Sequence, residues 1–363
     1  MKIAMAHVDL PNETKGGVAA QAHHLANAMA RRGHDVTMFT FSPAYAESEY
    51  QVHQIPLPAK FRKVGSFALA WHLSRLDFSG FDIVHTHGDN YLLNKTPPQI
   101  RTFHGSARDE AASAKSMKRK IYQRLMVRLE VAGARAADVN VGVSEATRSR
   151  IPEVEHIIPC GVDLSQFHPS DKSPHPTVLF VGTVGGRKRG SLLAEAFVKD
   201  IRSRIPNAEL WSVAEAPLEG DGIVNMGRVS YDRLAELYRQ AWVFCLPSTY
   251  EGFGVPYIEA MASGTCAVAT PNPGANEVLA GGKYGIIAED SELGKKIAEL
   301  LTDDSLRNRF VVQGLERAKH YGWDNVTAQY EQLYDTAIAA RTQGREPDKN
   351  RLAVGKKLED SGS

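Results

Sequence analysis

Cysteine is scarce: Cys160, Cys245 and Cys266 are the only three among 363 residues, and no two have C-x-x-C spacing. That excludes a disulfide framework and a cysteine zinc site, and leaves buried thiols in a reducing compartment as the reading. An excess of charge of one sign is also missing, since 43 Lys and Arg stand against 42 Asp and Glu for a formal net charge of +1. Nucleic acid is therefore not an expected partner. No apolar run approaches the roughly 20 residues of a membrane span. The start MKIAMAHVDLPNE is too short and too polar for a signal peptide. The expectation is a soluble, cytoplasmic protein with room for peripheral contact at the inner membrane face.

What is present is apolar material for two cores, 43% hydrophobic residues against 23% charged. The opening reads as a strand over 2–8, the pair Gly16-Gly17, a helix over about 18–32, Gly33 and a strand over 35–41. That is a βαβ unit opening an α/β domain. Further strands are expected at 83–86, 100–104, 139–143 and 156–159, which gives a first domain over 1–168. Pro169, Pro174 and Pro176 among polar residues suggest a linker over 169–176. The alternation resumes in a second domain over 177–322. A helix over 323–340 then follows a complete domain and is expected to cross back to the first, and 341–363 is polar enough to read as a disordered tail.

Two carboxylates carry the chemistry. In Pro247-Ser-Thr-Tyr-Glu251-Gly-Phe-Gly-Val-Pro256-Tyr-Ile-Glu259, a strand ends, glycines allow a tight loop, and Pro256 suits the first position of a helix. Both glutamates then sit at the carboxyl end of a parallel strand, where open α/β sheets bind ligands and a helix start favours phosphate. A carboxylate only accepts hydrogen bonds and repels phosphate, so Glu251 is assigned to a transferred sugar and Glu259 to a ribose diol. On spacing alone, a solvated loop residue and a dipole-favoured helix-start carboxylate remain equal alternatives.

The turn Gly182-Thr-Val-Gly-Gly-Arg187-Lys188-Arg189-Gly190 also lies between strand and helix, and its cations suit a diphosphate leaving group. It is not a P-loop, because Arg187 replaces the second glycine and Arg189 the hydroxyl residue. Gly16 and Gly17 lack a G-x-G-x-x-G fingerprint but allow backbone amides near a phosphate. His104, in Thr102-Phe-His-Gly105, is a candidate to sit beside an anomeric carbon, with an ordinary structural histidine as the competing reading.

These segments together resemble the retaining glycosyltransferase family 4. The resemblance rests on Glu251 and Glu259 as its E-x7-E signature, the GGV turn at 16–18, TFHG at 102–105, VGVSEAT at 141–147, IPCGVD at 158–163 and VGTVGGRKRG at 181–190. It implies the GT-B fold, two Rossmann-like doubly wound α/β domains facing across a cleft, and a nucleotide diphosphate sugar as donor. It places Arg187 and Lys188 on the diphosphate and Glu251 with the backbone of Phe253, Gly254 and Val255 on the sugar. Glu259 goes to ribose, Gly16 and Gly17 close over phosphate, and His104 lies near the transferred sugar. A base contact near 227–230 is implied as well. Thr183 stands where many members carry Arg, Cys160 where Asn is usual, and Asn276 where another residue is common. No D-x-D occurs, which fits Arg187, Lys188 and helix dipoles in place of a metal or other cofactor. The implied activity is hexose transfer from a UDP- or GDP-sugar to a hydroxyl acceptor in polysaccharide or glycolipid synthesis, with retention and without metal.

Three rivals compete. An epimerase or phosphorylase shares the fold, and a catalytically dead nucleotide-sugar sensor would keep it. In another class, His85-Thr-His87-Gly-Asp89-Asn90 falls one residue short of a zinc hydrolase run, with His85, His87 and Asp89 as ligands. Separately, the stretch 115–128 is strongly basic. On a helix it aligns Lys120, Arg124 and Arg128 as an edge for anionic lipid, and Met117, Ile121, Leu125 and Leu129 as a stripe for the core.

Overall fold

The computed structural model describes residues 1–11, 17–93, 97–108 and 117–343. The chain forms two units, Met1–Cys160 with the residues from Asp324 onward, and Gly161–Trp323.

The first unit holds a parallel sheet of β1 (Lys2–Ala6), β2 (Asp35–Thr40), β3 (Gln51–Gln54), β4 (Ile83–Thr86), β5 (Gln99–Phe103), β6 (Val139–Gly142) and β7 (His156–Ile157). Their order is β3-β2-β1-β4-β5-β6-β7, so the winding reverses between β1 and β4. The central strands β1, β4 and β5 are buried apart from Lys2, as helices on both faces of a parallel sheet require, although β4 and β5 carry His85, Thr86, Gln99, Arg101 and Thr102. Helix Val18–Arg31 buries Ala19, Ala22, Leu25, Ala26, Ala28 and Met29. Phe39, Phe41, Leu69, Phe78 and Val84 form one apolar cluster of this unit.

The second unit repeats the plan with β8 (Thr177–Val181), β9 (Glu209–Val213), β10 (Ile223–Asn225), β11 (Val243–Leu246), β12 (Cys266–Ala269) and β13 (Ile286–Ile287). Their order, β10-β9-β8-β11-β12-β13, reverses between β8 and β11. Ligands of doubly wound sheets bind at the carboxyl ends of strands at that reversal, so the turn after β8 and the loop after β11 are the places to examine.

Helix Trp323–Thr342 packs in the first unit. The Tyr334 hydroxyl lies 2.6 Å from His85 Nδ1, and the Tyr330 hydroxyl lies 2.9 Å from Thr102 Oγ1, both within the sheet's core. At the surface Glu331 pairs with Arg32 and with His34.

Two expectations are corrected. The first domain ends at residue 160, not 168, because Phe167 is buried against Tyr231 and Tyr238 of the second unit. Residues 169–176 are no linker either. Lys172 Nζ donates to the Arg239 carbonyl at 2.9 Å and to Thr265 Oγ1 at 2.8 Å, and Ser173 exchanges backbone and indole bonds with Gln240 and Trp242. Burial there pushes the Lys172 ammonium down to about 7.

The basic helix spans Met117–Ala136, but Leu125 is 44% exposed and so is not core. The inward face passes instead through Gln123 and Ala134, with Arg101 packed against Gly133. Arg124 and Arg128 are exposed. The expected tail falls, apart from 341–343, outside the described residues.

Candidate active site

The turn after β8 begins at Gly182, where an added Cβ would meet the Lys188 side chain. Gly186–Lys188 make one 3-10 turn, and Arg189 adopts a left-handed φ of 51° before helix Gly190–Ala196. Strain at a non-glycine residue needs fixed surroundings. Arg189 has them, since its guanidinium donates to the Pro247 carbonyl, to Thr270 Oγ1 and to both oxygens of Asp290. Arg189 is thus a structural clamp, which frees its neighbours Arg187 and Lys188 to face the loop after β11. The Thr183 hydroxyl turns back onto the Gly185 carbonyl at 2.9 Å.

The loop after β11 is fixed from beneath. Ser248 Oγ donates to Glu251 Oε1 at 2.7 Å, and Thr270 Oγ1 and Asn272 Nδ2 both donate to the Ser248 carbonyl. Asn272 Oδ1 also caps the next helix through the Ala275 N–H at 3.0 Å. Gly274 N donates to the Glu251 carbonyl, and a Cβ at Gly274 would lie 2.5 Å from the Phe253 carbonyl oxygen. Gly254 then takes a φ of 99° to start helix Val255–Ala262, in which Glu259 is one turn along. Phe253 is buried against Tyr321.

These two segments meet. Arg187 Nη1 is 2.9 Å from Glu251 Oε1 and donates to the Tyr250 carbonyl at 2.6 Å. Lys188 is half-buried, and burial pushes its ammonium down against the opposing pull of Glu251 and Glu259. Glu259 is half-buried by area, yet enough protein surrounds its carboxyl that burial raises it to about 7, opposed by the Tyr238 phenol and Lys188. The structure therefore brings together Arg187, Lys188, Glu251 and Glu259 within one unit. Two cations and two carboxylates at a sheet's reversal are equipped to neutralise phosphate and to accept bonds from hydroxyls.

In the first unit, His104 follows β5. His87 Nδ1 lies 3.0 Å from His104 Nε2, and Cys160 Sγ lies 4.0 Å from His104 Nδ1. Burial lowers His104 to about 3 and His87 well below the ordinary range, so both rings are neutral. Cys160, singled out for its departure from the family pattern, backs the His104 ring. Gly17 has a left-handed φ of 64° at the start of its helix, whereas Gly16 lies outside the described residues.

The zinc reading fails. His85 is spoken for by Tyr334 and by Thr102, and no three His, Cys, Asp or Glu among the described residues are grouped to hold a metal ion. No described helix is long and apolar enough to cross a membrane. Ser248, Thr270, Asn272 and Gly274 were not among the sequence candidates, and Arg189, read with the other cations of its turn, is a clamp instead. Asn272-Pro273, a capping residue before proline, was the one local signal that marked any of them.

Two family models match the chain: Glycosyltransferase Family 4 over residues 15–166 and Glycosyl transferases group 1 over 175–303. The phosphatidyl-myo-inositol mannosyltransferase of Mycobacterium tuberculosis is 28% identical over 90% of this chain and 95% of its own length. Among solved structures, sucrose-phosphate synthase from Thermosynechococcus elongatus has a TM-score of 0.76 at 24% identity, covering 93% of this chain and 99% of its own. Anabaena HepE in complex with UDP and glucose has a TM-score of 0.70 at 14% identity, covering 93% and 100%. The two doubly wound sheets are those of the GT-B fold. The chain belongs to glycosyltransferase family 4 and is a glycosyltransferase.

Proposed function

We propose that this chain moves a hexose from a UDP- or GDP-sugar to a hydroxyl acceptor, with retention of anomeric configuration and without a metal ion. The observation that carries the reading is the Arg187–Glu251 pair beside Lys188, at the reversal of the second sheet. Arg187 is half-exposed there, so the pair contributes only about 0–1 kcal/mol and yields readily to a diphosphate. As Arg187 turns to phosphate, Glu251 is released to accept bonds from the sugar's hydroxyls. Lys188 meets the negative charge that grows on the departing diphosphate. Glu259, set back along its helix, takes the ribose diol.

Glu251 is held by Ser248 in a buried loop and does not act as a nucleophile. The acceptor oxygen therefore bonds to the anomeric carbon on the face from which the diphosphate leaves. Its proton passes to the departing phosphate oxygen, and His104, being neutral, orients the sugar by hydrogen bonding. The UDP and glucose bound by Anabaena HepE and the mannosyl transfer named for the mycobacterial relative support a nucleotide-sugar donor and a hexose cargo. Exposed Arg124 and Arg128 supply the contact for an anionic membrane face, where a glycolipid acceptor would lie.

Thermal denaturation with UDP, GDP and ADP, followed by slow hydrolysis of their sugars in EDTA, tests this reading. UDP or GDP should stabilise the protein, and hydrolysis should persist and release the retained anomer. Stabilisation by none, or inversion, overturns the donor or stereochemical assignment, and loss of activity in EDTA overturns metal independence. Epimerised donor, or dependence on free phosphate, would favour the other chemistries of this fold. Sedimentation with anionic liposomes tests membrane contact, which Arg124→Ala with Arg128→Ala should weaken.

A further inference from the structure

The first unit contains a cavity of about 390 Å³ where the carboxyl ends of β4 and β5 meet helix Met117–Ala136. That size suits one small polar ligand. Asp89 stands in its wall in a left-handed conformation, φ 55°, directly after Gly88 at φ 131°. A clamp holds this strained turn: Asn90 is fully buried, donates Nδ2 to the Gly133 carbonyl at 2.9 Å, and accepts from Arg101 Nη1 at 2.8 Å. Arg101 also stacks over Phe103; its Nη1 serves the clamp, while its buried Nε has no partner among the described residues. Aspartate adopts left-handed backbone at modest cost, and the clamp on Asn90 fixes the turn that sets Asp89 at the cavity.

A second observation points to a ligand in the same wall. His87 lines the cavity and is 8% exposed, and its Nε2 has no hydrogen-bond partner among the described residues. Buried polar nitrogens are normally satisfied, so a guest that hydrogen-bonds there is the missing partner. Glu130 already accepts from the Ala107 N–H at 2.8 Å and from Ser106 Oγ at 3.3 Å, and Asp89 accepts from the Ser66 side chain, which leaves lone pairs of its carboxylate for a guest. Among the lining groups, one guanidinium stands against two carboxyls, and the two histidines are neutral. An anionic guest is repelled by that balance, whereas vicinal hydroxyls offer two donors to one carboxylate.

Resting on the glycosyltransferase reading, we propose that Asp89 determines acceptor specificity by binding adjacent hydroxyls of an uncharged polyol ring, a hexose or a cyclitol, in this cavity. Any charged or lipid portion of the acceptor then lies outside it.

Saturation-transfer NMR on the full chain, with methyl α-mannoside and myo-inositol as neutral probes and inorganic phosphate as the anionic one, tests this. A neutral probe should bind more tightly than phosphate. Asp89→Asn, which tolerates left-handed backbone, should weaken the neutral probe at least tenfold and narrow the difference from phosphate; Asp89→Gly, which relieves the strain, should do the same. The two variants' melting temperatures separate lost recognition from lost folding. Absence of neutral-probe binding at tens of millimolar, preference for phosphate, or unchanged binding in both variants each overturns the proposal. Stabilisation of the wild-type protein by UDP or GDP, measured separately, tests the donor reading, so failure of one is distinguishable from failure of the other.

Discussion

Arg187 Nη1 stands 2.9 Å from Glu251 Oε1, so a single guanidinium nitrogen ties the turn after β8 to the loop after β11. The pair is weak as a stabiliser and well placed as a switch. Arg187→Ala should lower turnover of the nucleotide sugar by about 10²–10³-fold, the range for losing one preorganised charge-stabilising donor. Its melting temperature should stay close to that of the wild type. Steady-state kinetics beside a thermal melt check both halves, and a variant with intact turnover would remove Arg187 from the chemistry.

Glu259 gives a pH signature. Its carboxyl is raised to about 7 in the folded protein, so the proton it holds stabilises the fold fully below its ordinary value near 4.5. That contribution is lost as pH rises through about 7. In the role proposed for Glu259 the ribose diol needs the ionised form, so nucleotide affinity should run the other way. Titration calorimetry with UDP or GDP should show weakening from pH 8 to pH 6, approaching about tenfold per unit below 7. Glu259→Gln should bind weakly at pH 8 with a flat profile.

Gly274 is the backbone's tightest point at the site. A methyl group there would press on the carbonyls of Phe253 and Glu251, which cannot move without displacing the loop. Gly274→Ala should cost about 1–3 kcal/mol, as overpacking does, and reduce nucleotide affinity more than tenfold. Denaturant melts and calorimetry on the same sample measure the two effects. Wild-type affinity in this variant would mean the loop's path is not what binds donor.

Tyr334→Phe deletes a hydroxyl that pairs with His85 in a dry core. The expected loss is about 1–3 kcal/mol, because the histidine nitrogen is left unsatisfied. Nucleotide-induced stabilisation should persist, since Tyr334 and His85 belong to the first unit while Glu251 and Glu259 belong to the second. Melts with and without UDP or GDP separate these outcomes.

The glutamate loop was legible because its elements are local: glycines, a proline at the second helical position and a strand just before. The same holds for Arg187 and Lys188. What supports them was not, because Thr270 and Asn272 reach the Ser248 carbonyl from a neighbouring strand's end, a contact with no short-range pattern. The misplaced linker has the same cause. Prolines 169, 174 and 176 read as a spacer, but Lys172 inserts its amine among carbonyls of residues 239 and 263, which only the folded second unit assembles. The basic helix misled through its apolar stripe. Periodicity identified a helix but not its inward face, which buries Gln123 and makes room for Arg101 at Gly133.

The return of helix Trp323–Thr342 to the first sheet has a consequence for synthesis on the ribosome. His85 and Tyr334 are 249 residues apart, so at about 5–20 residues per second His85 waits roughly 12–50 s for its partner to be translated. The second unit, contiguous in the chain, is complete before the first one is. A chain released after Trp323 should therefore hold a finished second unit and an open N-terminal sheet, and it is the N-terminal half that a chaperone or protease would meet unprotected.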